Sequence, residues 1–180
     1  MKSDYRVRAY KFIMNILPYI KDCLYNEREV EDRIWQFNAS CNRNLKFAAG
    51  SARIALITSD YVIKWDYDLK NVEDIGGCDE ETRAYKEAVN AGFGYLCAEC
   101  TQVVVNNIHF NIMPRINNIG RKAHHGKEID EFLTAEEYEW IREFNKDIHS
   151  YNWGIKNNKA VMIDYGFTQE VVDRFKRESA

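Results

Sequence analysis

The chain has 180 residues, of which 46% are hydrophobic and 29% charged, with a formal net charge of -3. That length accommodates one domain or two small lobes around a cleft, and the mild negative charge excludes a general nucleic-acid-binding surface. No apolar run approaches the ~20 residues of a membrane span, and the N-terminus carries neither an apolar signal region nor a small-residue cleavage site, so a cytoplasmic protein with no membrane contact is expected.

Residues 4–37 read as helical. Tyr10, Ile13, Met14, Leu17, Ile20 and Leu24 recur at three- and four-residue steps and form an apolar stripe, which Pro18 should kink or divide. Asn26, with Glu29 three residues later, is a cap for a second helix carrying Val30, Ile34 and Phe37 on one face. The mixed charges favour packing of these helices against the rest of the fold over a membrane surface.

Two β-rich runs follow, residues 47–57 and 61–65, around the polar turn Thr58-Ser59-Asp60. Gly50-Ser51 marks a turn within the first run. Lys64 stands between Ile63 and Trp65, and alternation alone leaves it either outward-facing or in contact with a partner. Residues 79–91 form a helix, with Asp79 as its expected cap and Gly92 as its stop. Glu81 lies on the same stripe as Tyr85 and Ala88, and a carboxylate facing a core requires a partner. Lys64 on the preceding strand is the natural one, Glu80 being the alternative carboxylate and a solvated first-turn Glu81 the bland account.

Residues 100–105 and 108–113 make a further hairpin around Asn106-Asn107, completing an antiparallel sheet of about five strands to which residues 45–49 contribute one. Pro114 ends the last of these. Residues 117–132 are a polar loop with Arg121, Lys122, His124, His125 and Lys127, read as solvated and basic. Thr134 and Glu137 form a capping box, Leu133 can staple to Tyr138, and Tyr138, Ile141 and Phe144, with Trp140, give the helix a buried face. Five cysteines, at 23, 41, 78, 97 and 100, are expected to be reduced. Cys97-Ala98-Glu99-Cys100 lacks a second pair at metal-ligand spacing and reads as buried structural thiols.

The helix after Thr134 leads into Asn145-Lys146-Asp147-Ile148-His149-Ser150-Tyr151-Asn152. Residues 153–156 and 160–163 then read as short strands joined by Asn157-Asn158, and Asp164-Tyr165-Gly166 ends the second. A loop, a hairpin and a carboxylate at a strand end bring Asp147, Asn152 and Asp164 around one spot. Two carboxylates and an amide oxygen suit Mg²⁺ held against phosphates, and one carboxylate free of metal can accept a proton.

Asp147-x-x-x-x-Asn152 followed by Asp164-Tyr165-Gly166 resembles the catalytic loop and Asp-Phe-Gly motif of the protein-kinase-like superfamily, in a variant similar to its small atypical and phage-borne members. The resemblance covers about residues 45–170 and implies an α+β, protein-kinase-like fold. Its parts would be an N-terminal helical extension (1–40), an N-lobe-like antiparallel sheet with one helix (41–116) and a minimal C-lobe (117–180) without the Ala-Pro-Glu motif or the peptide-binding half. It implies ATP and Mg²⁺ as cofactors. Gly50 and Ser51 would lie over the phosphates, although the single Gly departs from the glycine-rich pattern. Lys64, paired with Glu81, would contact the α/β-phosphates. Met113 and Arg115 fall where the chain crosses between lobes beside the adenine, Asn152 and Asp164 would hold Mg²⁺, and Asp147 would serve the acceptor hydroxyl. His149 occupies the place of a γ-phosphate lysine. The implied activity is phosphotransfer to an unidentified protein or small-molecule acceptor. The alternatives are a nucleotide-binding pseudokinase acting as an interaction module, and AMP transfer on the same fold.

Overall fold

The structure is a computed structural model that describes residues 4–41, 45–67, 77–118, 132–148 and 150–178. Two helices come first, α1 (Tyr5–Ile20) and α2 (Glu27–Cys41). Asp4 caps α1 by accepting the Arg6 N–H at 2.9 Å, and Asn26 Oδ1 accepts the Glu29 N–H at 3.2 Å at the start of α2. The buried stripe of α1 is Ala9, Phe12, Ile13, Ile16, Leu17 and Ile20. This corrects the expected one: Tyr10 and Met14 are 45% and 46% exposed, because the wider apolar arc offers two overlapping stripes and the sheet selects the one containing Phe12 and Ile16. Pro18 lies inside the last turn of α1 and does not divide it, the helix ending two residues later at Ile20.

The central element is a five-stranded antiparallel sheet in the order β1-β2-β3-β5-β4, formed by β1 (Lys46–Ala49), β2 (Arg53–Ile57), β3 (Tyr61–Asp66), β4 (Thr101–Val105) and β5 (Ile108–Pro114). Thr58 closes the β2–β3 turn: its hydroxyl accepts from the N–H groups of Asp60 and Tyr61 and donates to Tyr61 O at 2.8 Å. Asn106 and Asn107 take φ of 52° and 63° in the β4–β5 turn, the left-handed region that Asn tolerates.

Strand alternation gives this sheet two different faces. Ile54, Leu56, Ile63, Trp65, Phe110 and Ile112 point to one side and pack with α1 and α2 in a single apolar core. Phe12 meets the Phe37 ring edge-on at 5.9 Å within it. The N-terminal helices therefore cover one face of the sheet, leaving the other for Lys64, Asn111 and Met113.

Helix α3 (Cys78–Asn90) packs on that second face. Its N-cap is Gly77, and Asp79, the expected cap, is instead in the first turn. Asp66, at the end of β3, supplies the missing acceptor by taking the Cys78 N–H at 3.0 Å, a long-range substitute that local sequence does not encode.

A second layer consists of β6 (Asn117–Asn118), β7 (Trp153–Lys156) and β8 (Lys159–Met162) in a three-stranded antiparallel sheet, with α4 (Ala135–Phe144) and α5 (Gln169–Glu178). The Thr134–Glu137 capping box is formed in both directions. Glu137, Ile141 and Phe144 are the buried residues of α4, and Trp140, expected beside them, stacks between Phe93 and Phe144 at 4.7 and 4.4 Å, whereas Tyr138, expected on the buried face, is 38% exposed. Asn157 and Asn158 turn the β7–β8 hairpin with φ of 53° and 60°. Ala98, just before β4, ties the layers together: its N–H donates to Met162 O at 2.7 Å and its carbonyl accepts from the Tyr165 hydroxyl at 2.5 Å. No helix among the described residues is long and apolar enough to cross a membrane.

Candidate functional site

The site lies between the two layers. Lys64 is the inward residue of β3 and is 7% exposed; opposite it across the strand pair is Asn111 of β5. Lys64 Nζ donates to Glu81 Oε1 at 2.7 Å and to Ile163 O at 2.8 Å. Glu81, in the first turn of α3, is fully buried, a position where a carboxylate is tolerated only with polar partners. Asn111 Nδ2 donates to Glu81 Oε2 at 3.1 Å and to Cys78 O at 2.8 Å, and Thr82 Oγ1 donates to Asn111 Oδ1 at 2.9 Å, which fixes the amide. Glu80, by contrast, pairs with Arg83 on the same helix.

Asp164 follows β8. Arg53, the first residue of β2, donates from Nη2 to Asp164 Oδ1, its Nη1 lies 3.2 Å from Glu81 Oε1, and Lys64 Nζ is 3.8 Å from Asp164 Oδ1. Two cations and two carboxylates thus form one cluster. Burial alone would raise the Asp164 carboxyl; the Arg53 guanidinium and then Lys64 override it and hold it at about 2, against an ordinary 3.8. Burial also opposes the charge of Arg53, yet Asp164 and Glu81 shift that group in the direction of stronger protonation.

Asp147 and Asn152 stand on the loop after α4. Asn145, wholly buried at the end of that helix, accepts the Asp147 N–H on Oδ1 at 2.9 Å and reaches Asp164 O with Nδ2 at 3.5 Å. Asn152 Nδ2 donates to Asp147 O at 2.9 Å and Asp147 Oδ2 at 3.0 Å, and Asn152 O accepts the Ile163 N–H at 2.7 Å. The amide nitrogen is committed to Asp147, which leaves Asn152 Oδ1 as the atom suited to a cation.

These groups line one hollow of about 650 Å³, with Gly50, Arg53, Lys64, Asp147, Asn152 and Asp164 on its wall. Beside it is a second pocket of about 300 Å³ that shares Lys64, Asn152 and Asp164 on its wall and adds the apolar side chains of Val62, Met113 and Ile163. Gly50 and Ser51 line the larger hollow, and Met113 and Arg115 line the smaller. Arg115 Nη1 donates to Thr58 O at 2.9 Å and its backbone N–H to Asp60 O at 2.9 Å, so this side chain also ties the chain after β5 to the β2–β3 turn. His149 and the basic loop carrying Arg121, Lys122, His124, His125 and Lys127 lie outside the described residues.

Asn152 Oδ1 and the Asp164 carboxylate are hard oxygen donors, the donor type that could hold a divalent cation such as Mg²⁺. No cluster of three or more His, Cys, Asp or Glu side chains suited to a metal occurs among the described residues. Cys97 and Cys100 are buried free thiols; burial pushes Cys97 far up and Cys100 up to about 12. Sequence reasoning missed Arg53, Asn111 and Asn145. Arg53 and Asn111 carried a usable signal, since both are polar residues on the inward phase of their strands; Asn145 carried one in its place two residues before Asp147.

No protein-family model and no curated protein matches the chain. Among solved structures it is similar to WbdD, in a co-crystal structure of WbdD with a kinase inhibitor, at 15% sequence identity and a TM-score of 0.45 over 69% of this chain and 33% of that one. The chain therefore spans about a third of the WbdD chain it matches.

Proposed function

We propose that the chain is an ATP- and Mg²⁺-dependent phosphotransferase whose acceptor is a hydroxyl of a small molecule or a protein. The observation that carries this reading is the convergence of Lys64, held by Glu81, with Asp147, Asn152 and Asp164 on one hollow that shares its wall with a neighbouring, partly apolar pocket. The apolar pocket, with Val62, Met113 and Ile163, suits an adenine ring, and the polar hollow suits its phosphates. Lys64, held by Glu81 and Ile163 O, would present its ammonium to the α/β-phosphates. Asn152 Oδ1 and Asp164 would hold Mg²⁺, which when bound supplies charge neutralisation at the phosphate oxygens.

Asp147 is the residue for the acceptor. Asn145 fixes its backbone and Asn152 fixes one carboxylate oxygen, so the carboxylate is oriented before any ligand arrives. It would accept the proton of the acceptor hydroxyl as that oxygen bonds to the γ-phosphorus and the bond to the β-phosphate oxygen breaks, ADP carrying away the electron pair. Positioning and charge balance supply most of the catalysis in such a transfer, so these few groups suffice.

The test is ATP turnover with Mg²⁺, measured as ADP release, in wild type, Asp147→Asn and Asp164→Ala. Asp147→Asn is expected to lower turnover by roughly a hundredfold or more while ATP still binds; Asp164→Ala should remove the Mg²⁺ dependence of binding. A second reading is a nucleotide-binding module without turnover, favoured by the engagement of Asp164 with Arg53. Wild-type binding without turnover, unaltered by Asp147→Asn, would establish that module in place of the enzyme. Intact-mass analysis of a modified target separates a phosphoryl from an adenylyl adduct.

A further inference from the structure

The β1–β2 turn is a poor cradle for phosphates. Gly50 is its one glycine, and the Gly50 N–H is already spent on Arg53 O at 2.9 Å, closing the turn. With that N–H withdrawn, the turn has fewer backbone donors to offer an anion, and the positive charge facing it must come from side chains. Among the described residues lining the larger hollow, the cations are Lys64 and Arg53.

Arg53 has the features of an incompletely occupied anion site. Its side chain is 14% exposed and lies between Glu81 and Asp164. Nη2 donates to Asp164, whereas Nη1, though 3.2 Å from Glu81 Oε1, is buried without an aligned hydrogen-bond acceptor. Nη1 is thus ion-paired with Glu81 but not aligned for a hydrogen bond, so the hydrogen-bonding capacity of the guanidinium is not fully used. The planar guanidinium can also grip two phosphate oxygens at once, which the Lys64 ammonium does not.

We infer that Arg53 is a second phosphate-binding side chain, gripping the phosphates of a bound nucleotide in place of the backbone of a glycine-rich loop. The inference rests on the nucleotide-binding reading above. On binding, Arg53 exchanges an oxygen of Asp164 for a phosphate oxygen. The Asp164 carboxylate, 42% exposed toward the hollow, is released to face a cation. One anion replaces another at the guanidinium, so its charge stays compensated throughout.

The experiment is calorimetric binding of adenosine, ADP and ATP, with Mg²⁺ present and separately in EDTA, to wild type, Arg53→Met and Arg53→Lys, with folding checked by circular dichroism. Wild type should bind ATP about tenfold or more tighter than adenosine, the increment of one charge-assisted contact. Arg53→Met should bind adenosine as wild type does and lose most of the phosphate increment, and Arg53→Lys should recover part of it. As a check free of any variant that fails to fold, the Arg53 Nε–H resonance of the wild type should shift on addition of tripolyphosphate and not of adenosine. An intact phosphate increment in Arg53→Met, equal weakening of adenosine and ATP, or an unmoved Nε–H resonance overturns the role of Arg53. Wild type that binds adenosine without any phosphate increment overturns it too, and leaves the apolar pocket standing. Wild type that binds none of the three ligands removes the nucleotide-binding reading as well as the role of Arg53.

Discussion

Lys64 of β3 and Glu81 of α3, separated by 17 positions in the chain, meet at 2.7 Å with the carboxylate wholly buried. The pair fixes α3 against the sheet and aims the ammonium at Ile163 O and Asp164. Replacing Lys64 by Met removes the closest cation of a buried carboxylate, at a cost of about 3 kcal/mol. That is the low end for such a loss, because Arg53 Nη1 remains 3.2 Å from Glu81 Oε1 and Asn111 Nδ2 still donates to Glu81 Oε2. Urea denaturation checks it. A loss below about 1 kcal/mol, the range of an exposed pair, would mean that Lys64 does not stabilise Glu81.

The Asp164 carboxyl predicts how stability changes with acidity. Its folded value of about 2 lies below its ordinary 3.8, so the folded state binds fewer protons than the unfolded one between those values. The stabilisation from Asp164 is therefore complete above about pH 4 and declines as pH falls toward 2. Asp164→Asn should be less stable than wild type at pH 6, with the gap closing across that acidic window. Chemical denaturation at a series of pH values measures it, and a gap that widens on acidification would contradict the ion-pair cluster.

Gly154 of β7 is pressed against β6. A Cβ there would stand 2.6 Å from Ile116 Cγ2 and 2.7 Å from Asn117 O. Since the oxygen belongs to the backbone and moves only with the strand, Gly154→Ala should destabilise the protein by about 2 kcal/mol. Thermal denaturation reads this as a lowered midpoint; an unchanged midpoint would mean that β6 and β7 do not approach so closely.

Thiol accessibility tests the packing around Ala98. Cys23, Cys78, Cys97 and Cys100 are buried and Cys41 is exposed. Burial raises the pKa of all four buried thiols, so little reactive thiolate forms at neutral pH. A thiol reagent should label Cys41 quickly in the native protein and the others only on unfolding, as peptide mapping would show. Rapid native labelling of Cys97 or Cys100 would contradict the burial of this segment.

Much of the architecture is written in short-range patterns. Alternation in residues 53–57, 61–66 and 108–113 yields strands, and Asn106-Asn107 and Asn157-Asn158 yield tight turns because Asn accepts positive φ. The Thr134–Glu137 capping box marks the start of α4 within four residues. The Lys64–Glu81 pairing was legible for a related reason: a carboxylate on the apolar stripe of a helix requires a cation, and the preceding strand offered one.

What short-range patterns left open were the choices between near-equivalent partners. The apolar arc of α1 permitted a stripe through Tyr10 and Met14, and packing against the sheet buried Phe12 and Ile16 instead. Asp79 was as good a local cap as any, yet Asp66 reached the Cys78 N–H from the end of β3.

The sequence by itself determined the strands, the turns, the capped helix leading to Asp147 and the spacing of Asp147, Asn152 and Asp164, because each depends on backbone preferences or on residues a few positions apart. Only the tertiary structure decided that α1 and α2 cover one face of the sheet, that Arg53 joins Glu81 to Asp164, and that Asn111 and Asn145 brace the cluster. Those contacts link elements distant along the chain, and which polar side chain fills a buried position depends on strand register and layer packing, which no local pattern carries.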